Sequence, residues 1–291
     1  MREVKILVVG MGLIGGSVCK GLKKYTDYKV GGYDSNGSIV KSAFETGVID
    51  IPVKNKKEFH DYNVVIIAIN PLHMSDFLES CVENFSQNAI IADVCGVKGE
   101  LPARLTALCA EHGLRYVSTH PMAGRERPGF ENSFADLFLN ANFIVTPIAG
   151  SDLNAIETIE GIAREIGFNN FSRVSPEEHD SIIAYTSQLA HVISSAYVKS
   201  PTIARDKGFT GGSFQDMSRI ATMNEDMWTA LFLLNREKLV EETDILIENL
   251  LKYKIAIAQG DEEELKRLIR ESRLLKEKNL SDNRFLTRFD G

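Results

Sequence analysis

The feature that most constrains this chain is Gly10-Met11-Gly12-Leu13-Ile14-Gly15, because of what flanks it. A β-branched run, VKILVVG (4–10), leads into the first glycine, and GLIGGSVCKGLKKY (12–25) follows with Leu13, Val18 and Leu22 among its helical apolar positions. A GxGxxG between a strand and a helix is a dinucleotide-binding turn. The first glycine allows the tight turn, the second lets backbone approach a pyrophosphate, and the third lets helix and strand pack closely. The helix start then presents free N–H groups and the positive end of its dipole to the phosphates. KVGGYD (29–34) reads as the next strand, and Asp34 at its end can accept hydrogen bonds from a ribose 2′-OH while repelling a 2′-phosphate. The cofactor expected is NAD rather than NADP.

The same alternation continues. NVVIIAI (63–69), AIIADV (89–94), RYVST (115–119) and NFIVTP (142–147) read as strands, with helical stretches at SIVKSAFETG (38–47), HMSDFLESCVENF and KGELPARLTALCAEHG between them. Strands alternating with helices predict βαβ units and a doubly wound parallel sheet. Beyond about residue 170 no strand signal remains. SPEEHDSIIAYTSQLAHVISSAYV opens with Ser175 as N-cap, Pro176 at the first position and Glu178 at the third. A long helical pattern runs from Asn224 to Gly260, and DEEELKRLIRESRLLKEK forms a third, amphipathic one. The expected architecture is α/β: a Rossmann-type dinucleotide-binding domain over 1–170, then an all-helical domain over 171–291.

The net charge of −7, with no basic stripe, argues against nucleic acid and anionic membrane surfaces as partners. Cys19, Cys81, Cys95 and Cys109 form no CxxC pair, which argues against zinc and suits a reducing compartment. No apolar run is long enough to span a bilayer, and the N-terminus enters a strand at once, so a cytoplasmic protein is expected.

Ligands of a doubly wound sheet bind outside the carboxyl ends of its strands. Asn70-Pro71, Asp93-Val94-Cys95-Gly96 and His120 stand at such ends, where the nicotinamide half of the cofactor is expected. His120 is the candidate proton acceptor. His112 and His60 read as structural or solvated, and a surface role is expected for His73. His179, in the first turn of a helix, reads as exposed. His191 shares a helix face with Gln188 and Ser187. That cluster is either a satisfied buried network or one wall of a pocket. Arg219 stands three residues after Asp216, so both a local salt bridge and a carboxylate-binding guanidinium fit.

Taken together, VVGMGLIGGS, ADVCGVKGEL (92–101), THPMAGRERPGFENS (119–133), TSQLAH (186–191) and GGSFQDMSRIA through Met227-Trp228 resemble the prephenate dehydrogenase family, which includes arogenate dehydrogenases, over nearly the whole chain. The resemblance implies NAD-dependent oxidation of a ring carbinol with loss of the ring carboxylate as CO2. By it, His120 accepts the hydroxyl proton, Arg219 holds a substrate carboxylate and His191 helps to bind substrate. Glu126 and Asp216 match acidic positions of a gate around the entrance, and the helical half carries a homodimer interface.

The chain departs from the family at three places. Gly96 stands where a serine is common, Gln188 where the helix often has a histidine, and Arg125 where a threonine or serine follows HPMAG. Gln188 is still expected to donate to a carboxylate, and Arg125 to add a cation at the pocket edge. Apolar Met227, Trp228, Leu231, Phe232, Leu239, Leu246, Leu250, Ile255 and Ile257 exceed what a surface helix needs; a subunit interface is the favoured reading, and the core of a monomeric bundle is the alternative. With the chain ending soon after its third helical pattern, no regulatory β-rich extension is expected. Competing readings are an arogenate dehydrogenase, a β-hydroxyacid dehydrogenase or pyrroline-carboxylate reductase with the same layout, and a non-catalytic NAD-binding protein. The second group usually places a lysine or another polar group on the helix facing the nicotinamide, whereas this chain has His191 in mid-helix and His120 at the strand end.

Overall fold

The computed structural model describes residues 4–125 and 127–286. The described chain forms two compact units, one ending at Leu239 and the other starting at Val240.

In the first unit, strands and helices alternate: β1 (Lys5–Val9), α1 (Leu13–Tyr25), β2 (Lys29–Tyr33), α2 (Gly37–Glu45), β3 (Ile51–Pro52), β4 (Val64–Ile67), α3 (Met74–Glu79), β5 (Ile90–Asp93), α4 (Leu101–Glu111) and β6 (Arg115–Val117). These six strands make one parallel sheet in the order β3-β2-β1-β4-β5-β6. The order reverses between β1 and β4, which is the switch point where such sheets bind ligands. The register places Tyr33, Val9, Ile67 and Asp93 in one row. The loops that begin at Asp34, Gly10, Ala68 and Val94 therefore leave from one edge of the sheet. Both faces are buried: Ile6, Val8, Ile66 and Ile90 belong to one core cluster, and Leu7, Val9, Val65 and Ile91 to the other. Unbroken apolar strands are what a sheet covered on both faces requires.

RYVST is not one strand. The chain breaks at Ser118, whose carbonyl and hydroxyl bond Thr146. β6 stays in the parallel sheet, while β7 (Thr119–Met122) starts a second, three-stranded sheet with β8 (Asn142–Val145) and β9 (Asn170–Arg173). β7 pairs antiparallel with β8 and forms the edge, where Pro121 is tolerated for lack of an N–H. His120 thus lies inside an edge strand instead of at a strand tip. α5 (Leu153–Glu165) connects β8 and β9.

After β9, α6 (Pro176–Ile183), a π-helical turn (Ala184–Gln188) and α7 (Leu189–Tyr197) form one continuous helix, followed by α8 (Gly212–Ser218) and α9 (Glu225–Leu234). The long pattern read from Asn224 to Gly260 is interrupted at Asn235, which separates α9 from α10 (Arg236–Gln259). The Asn235 side chain turns inward, where its Nδ2 donates to the Asp180 carbonyl and to Gln188 Oε1.

The second unit holds most of α10 and α11 (Glu262–Leu286), with Gly260 in the left-handed conformation between them. Ala256 and Leu268 are buried in it, and Tyr253 Oη lies 3.0 Å from Ser272 Oγ. No helix among the described residues is long and apolar enough to cross a membrane.

Candidate active site

The glycine turn has the geometry its sequence predicts. Gly10 has φ +81°, and a Cβ there would lie 2.5 Å from the Ala68 carbonyl oxygen. A Cβ on Gly15 would lie 1.9 Å from the Gly10 carbonyl oxygen, so α1 can approach the turn only because residue 15 has none. A Cβ on Gly12 would meet nothing within 4 Å. Gly12 faces open space and caps α1 without a side-chain hydrogen bond. Partly exposed Gly12, Leu13 and Ile14 at a helix start, beside a turn with no side chain to block it, fit a dinucleotide pyrophosphate. Asp34 follows β2 directly; its Oδ2 accepts from the Met11 N–H at 2.7 Å and its Oδ1 from the Asn36 N–H at 2.8 Å. The carboxylate is thereby fixed at the edge of the turn, partly exposed. Met11, expected among the cofactor ligands, spends its N–H on Asp34, and its side chain is fully buried. Asn70 caps the short helical turn that Pro71 starts, and its Oδ1 accepts from the Leu72 N–H.

The loop after β5 is built from the inside. Asp93 was expected to face the cofactor; it is fully buried, and protein groups surround its carboxylate. Oδ1 accepts from the Cys95 N–H at 2.7 Å and from Lys98 Nζ at 2.9 Å, and Oδ2 accepts from Tyr116 Oη at 2.6 Å. Burial by itself would push the Asp93 carboxyl up, but the Lys98 charge and these hydrogen bonds hold it below the usual carboxylate value. Cys95 points into the core, where burial and then the Asp93 charge push its thiol well up, which disfavours the thiolate a nucleophile needs. The Thr119 hydroxyl donates to the Asp93 carbonyl, which ties the start of β7 to the end of β5.

His120 follows Thr119 and is half-buried. Its Nδ1 lies 2.8 Å from His179 Nε2, and His179 Nδ1 lies 2.7 Å from Asp180 Oδ1. His179 was expected to be exposed, yet it is 1% exposed, because α6 packs its first turn against the loop after β5. Asp180 accepts from the Lys98 N–H at 2.9 Å and the Gly99 N–H at 2.7 Å. These partners assign the protons. The carboxylate accepts a hydrogen bond from His179 Nδ1–H, so His179 Nε2 presents a lone pair and accepts from His120 Nδ1–H. His120 Nε2 is then the acceptor nitrogen. It faces Gly96, where a Cβ would lie 3.5 Å from Nε2 and 4.0 Å from Leu231 Cδ2. Burial, then the Lys98 charge, then His179 hold His120 well below the usual histidine value, so the ring is neutral at neutral pH.

His191 lies on the continuation of the same helix. An α-helix turns about 100° per residue, which would set His179 and His191 about 120° apart. The extra residue of the π turn reduces that to about 20°. His191 Nδ1 bonds the Ser187 carbonyl at 2.9 Å, and its ring stacks on Trp228 with centroids 3.6 Å apart. Trp228 and Leu231 share a face of α9, so one helix reaches His191 and the space beside Gly96. Gln188 does not point at a ligand. It is 1% exposed, with Nε2 donating to the Leu231 carbonyl at 2.8 Å and Oε1 accepting from Asn235. Its amide locks α9 to the π turn, which corrects its expected role as a carboxylate donor. Arg219 and Asp216 are exposed, and the 3₁₀ turn that Arg219 begins packs on α7. Exposed Arg125 lies over the Phe134 ring at 4.1 Å. Glu126 lies outside the described residues. A cavity of about 600 Å³ opens at the Asp180 end of the chain and is lined by Pro176, Leu233, Asn235 and Lys238 among others. Its lining includes neither His120 nor Gly96.

Asp180 and Lys98 were not singled out from the sequence, and His179 was read there as exposed. A His-Asp pair directly behind a capped helix start was the available signal for His179 and Asp180.

A doubly wound sheet with an open glycine turn, and a neutral histidine whose acceptor nitrogen stands beside the adjoining strand-end loop, define a dinucleotide-dependent dehydrogenase with a helical C-terminal half. Residues 18–170 match the family model "Prephenate dehydrogenase, nucleotide-binding domain", and residues 175–271 match "Prephenate dehydrogenase, dimerization domain". The chain belongs to the prephenate dehydrogenase family. It is 28% identical to the prephenate dehydrogenase of Bacillus subtilis over 91% of this chain and 74% of that protein. It is 29% identical to the cyclohexadienyl dehydrogenase of Zymomonas mobilis over 92% of this chain and 93% of that protein. The crystal structure of the A. aeolicus prephenate dehydrogenase in complex with hydroxyphenyl propionate and NAD+ matches with a TM-score of 0.84 at 26% identity, covering 96% of this chain and 99% of that one.

Proposed function

We propose that the protein is an NAD-dependent prephenate dehydrogenase that converts prephenate to 4-hydroxyphenylpyruvate in tyrosine biosynthesis. The observation that carries this reading is the Asp180–His179–His120 chain, which leaves His120 Nε2 as an acceptor beside Gly96. Bound NAD supplies the hydride acceptor. His120 Nε2 takes the proton of the ring hydroxyl as the carbinol carbon is oxidised, and the His179–Asp180 pair stabilises the imidazolium. The bond to the ring carboxylate then breaks, CO2 leaves, and its electron pair completes the aromatic ring. The proton returns from His120 to the phenolate oxygen, so the site is restored without net proton release. Arg219 and His191 are assigned to the substrate carboxylates, with Arg125 and Asp216 at the rim. The relatives' cyclohexadienyl and prephenate activities support this substrate class.

Gly10, Gly12, Leu13, Ile14, Gly15 and Asp34 are assigned to NAD, with Asn70 and Pro71 on the neighbouring loop. An Asp34→Asn variant is expected to lose about 10-fold of the preference for NAD over NADP, the worth of one charge-assisted hydrogen bond. Its kcat/KM with each cofactor checks this. A Gly96→Ser variant is expected to fold normally and to raise kcat about 3- to 10-fold, because the new hydroxyl would sit beside His120 Nε2 and orient it; steady-state kinetics and thermal unfolding read both effects.

The functional unit is a homodimer. Ile245, Ile247, Leu250, Ile255 and Ile257 on α10 and Ile269, Leu274 and Leu275 on α11 are each about half exposed or more. A second copy covering these residues accounts for them. The four buried, unpaired cysteines support a cytoplasmic location.

Rates of NADH formation with prephenate and with arogenate test the reading. Turnover of prephenate supports it. Turnover of arogenate alone moves the substrate to the amino acid and leaves the role of His120 intact.

A further inference from the structure

We infer that Lys98 is a positioning residue for this reaction: it holds both ends of the Asp180–His179–His120 chain and sets its charge behind the base. The inference rests on the reading of His120 as the proton acceptor. Lys98 is 2% exposed. Its Nζ donates to the Thr119 carbonyl at 2.6 Å, the peptide that enters His120, and to Asp93 Oδ1 at 2.9 Å. Its backbone N–H donates to both Asp180 oxygens, at 2.9 and 3.2 Å. One residue therefore fixes the backbone of the base from β5 and the carboxylate at the far end of the chain from α6.

A buried ion pair contributes little net stability, because desolvation offsets its attraction. A well-packed neutral pair would fill the same space. The Lys98–Asp93 pair, with both side chains fully buried, is better explained by what its charge does to a neighbour.

Among the described residues, the groups around His120 leave few other sources of charge. His179 and, behind it, Asp180 face it from α6; Gly96 faces it with uncharged backbone; and Ile144 is its partner on β8. Asp93 and Tyr116 engage one another and Asp93 holds Lys98, without a bond to His120. After burial, the Lys98 ammonium is the strongest influence disfavouring a second proton on His120. It keeps the base free to accept.

The test is an NMR titration of His120 in the full chain without ligands, its signal assigned with His120→Asn, in wild type and in Lys98→Gln, which is neutral and keeps a donor. Removing the charge is expected to raise the His120 pKa by about one unit. The acidic limb of kcat/KM should move up by the same amount, with KM for NAD unchanged. A folded Lys98→Gln protein with a wild-type His120 titration would overturn the inference. If that variant does not fold, Lys98→Met with Asp93→Asn leaves no lone buried charge and is read in the same way. The titration needs no substrate, so it stands apart from whether prephenate is turned over: absent turnover in wild type would reject the proposed function, while an unmoved titration would reject the role of Lys98.

Discussion

His120→Asn is expected to lower kcat about 100- to 10,000-fold, the usual worth of a positioned general base, with little change in KM. Asparagine suits the test because its Nδ2 can replace His120 Nδ1 as donor to His179 Nε2, 2.8 Å away in the native chain. The His179–Asp180 pair then stays satisfied, and thermal unfolding should be near wild type. The pH dependence follows from the same environment. His120 is held well below the usual histidine value by burial and by Lys98. Only the unprotonated ring accepts a proton, so kcat/KM should be flat through neutral pH and fall only at acidic pH, below the range of an ordinary histidine. An acidic limb at or above the ordinary value would show that another group controls the reaction.

Two alanine substitutions in the glycine turn should separate fold from cofactor. Gly15→Ala brings a Cβ to 1.9 Å from the Gly10 carbonyl oxygen and 3.2 Å from Ala68 Cβ, so either the turn or α1 must move. Overpacking of this kind costs about 1–3 kcal/mol, and thermal unfolding should show it as a lowered Tm. Gly12→Ala is the opposite case. Its Cβ meets no protein atom within 4 Å, and its φ of −77° suits any residue, so Tm should hold. The methyl would stand where the pyrophosphate approaches, and NAD affinity should fall about 10- to 100-fold, measured by calorimetry. Equal NAD affinity in wild type and Gly12→Ala would place the cofactor elsewhere.

Much of this architecture is legible in the chain because its signals are local. The strand–GxGxxG–helix unit declares itself within a few residues, and β4, and β5 up to Asp93, are apolar because both faces are covered. What escaped depends on contacts between distant segments. RYVST reads as one strand, and the break at Ser118 is set by Thr146. His179 occupies a helix position that usually faces water. It is buried because Asp180 accepts from the Lys98 N–H, a pairing separated by 82 residues. Asp93 has the residue type and the strand-end position of a ligand contact, and only the Lys98 and Tyr116 side chains reveal that its carboxylate is turned inward. Gln188 is similar: its amide matches a carboxylate donor in type, but Leu231 and Asn235 already occupy it. The π turn between α6 and α7 has no sequence marker at all, yet it decides which face His191 shares.

The central claim is that this site oxidises a cyclohexadienol with loss of CO2. It is tested most directly by incubating the purified protein with prephenate and NAD and quantifying NADH and 4-hydroxyphenylpyruvate in the same sample. Equal amounts of the two, formed by wild type and nearly absent with His120→Asn, are the predicted result. Protein that binds NAD but forms neither product from prephenate or arogenate would contradict the claim and leave a dinucleotide-binding protein without this chemistry.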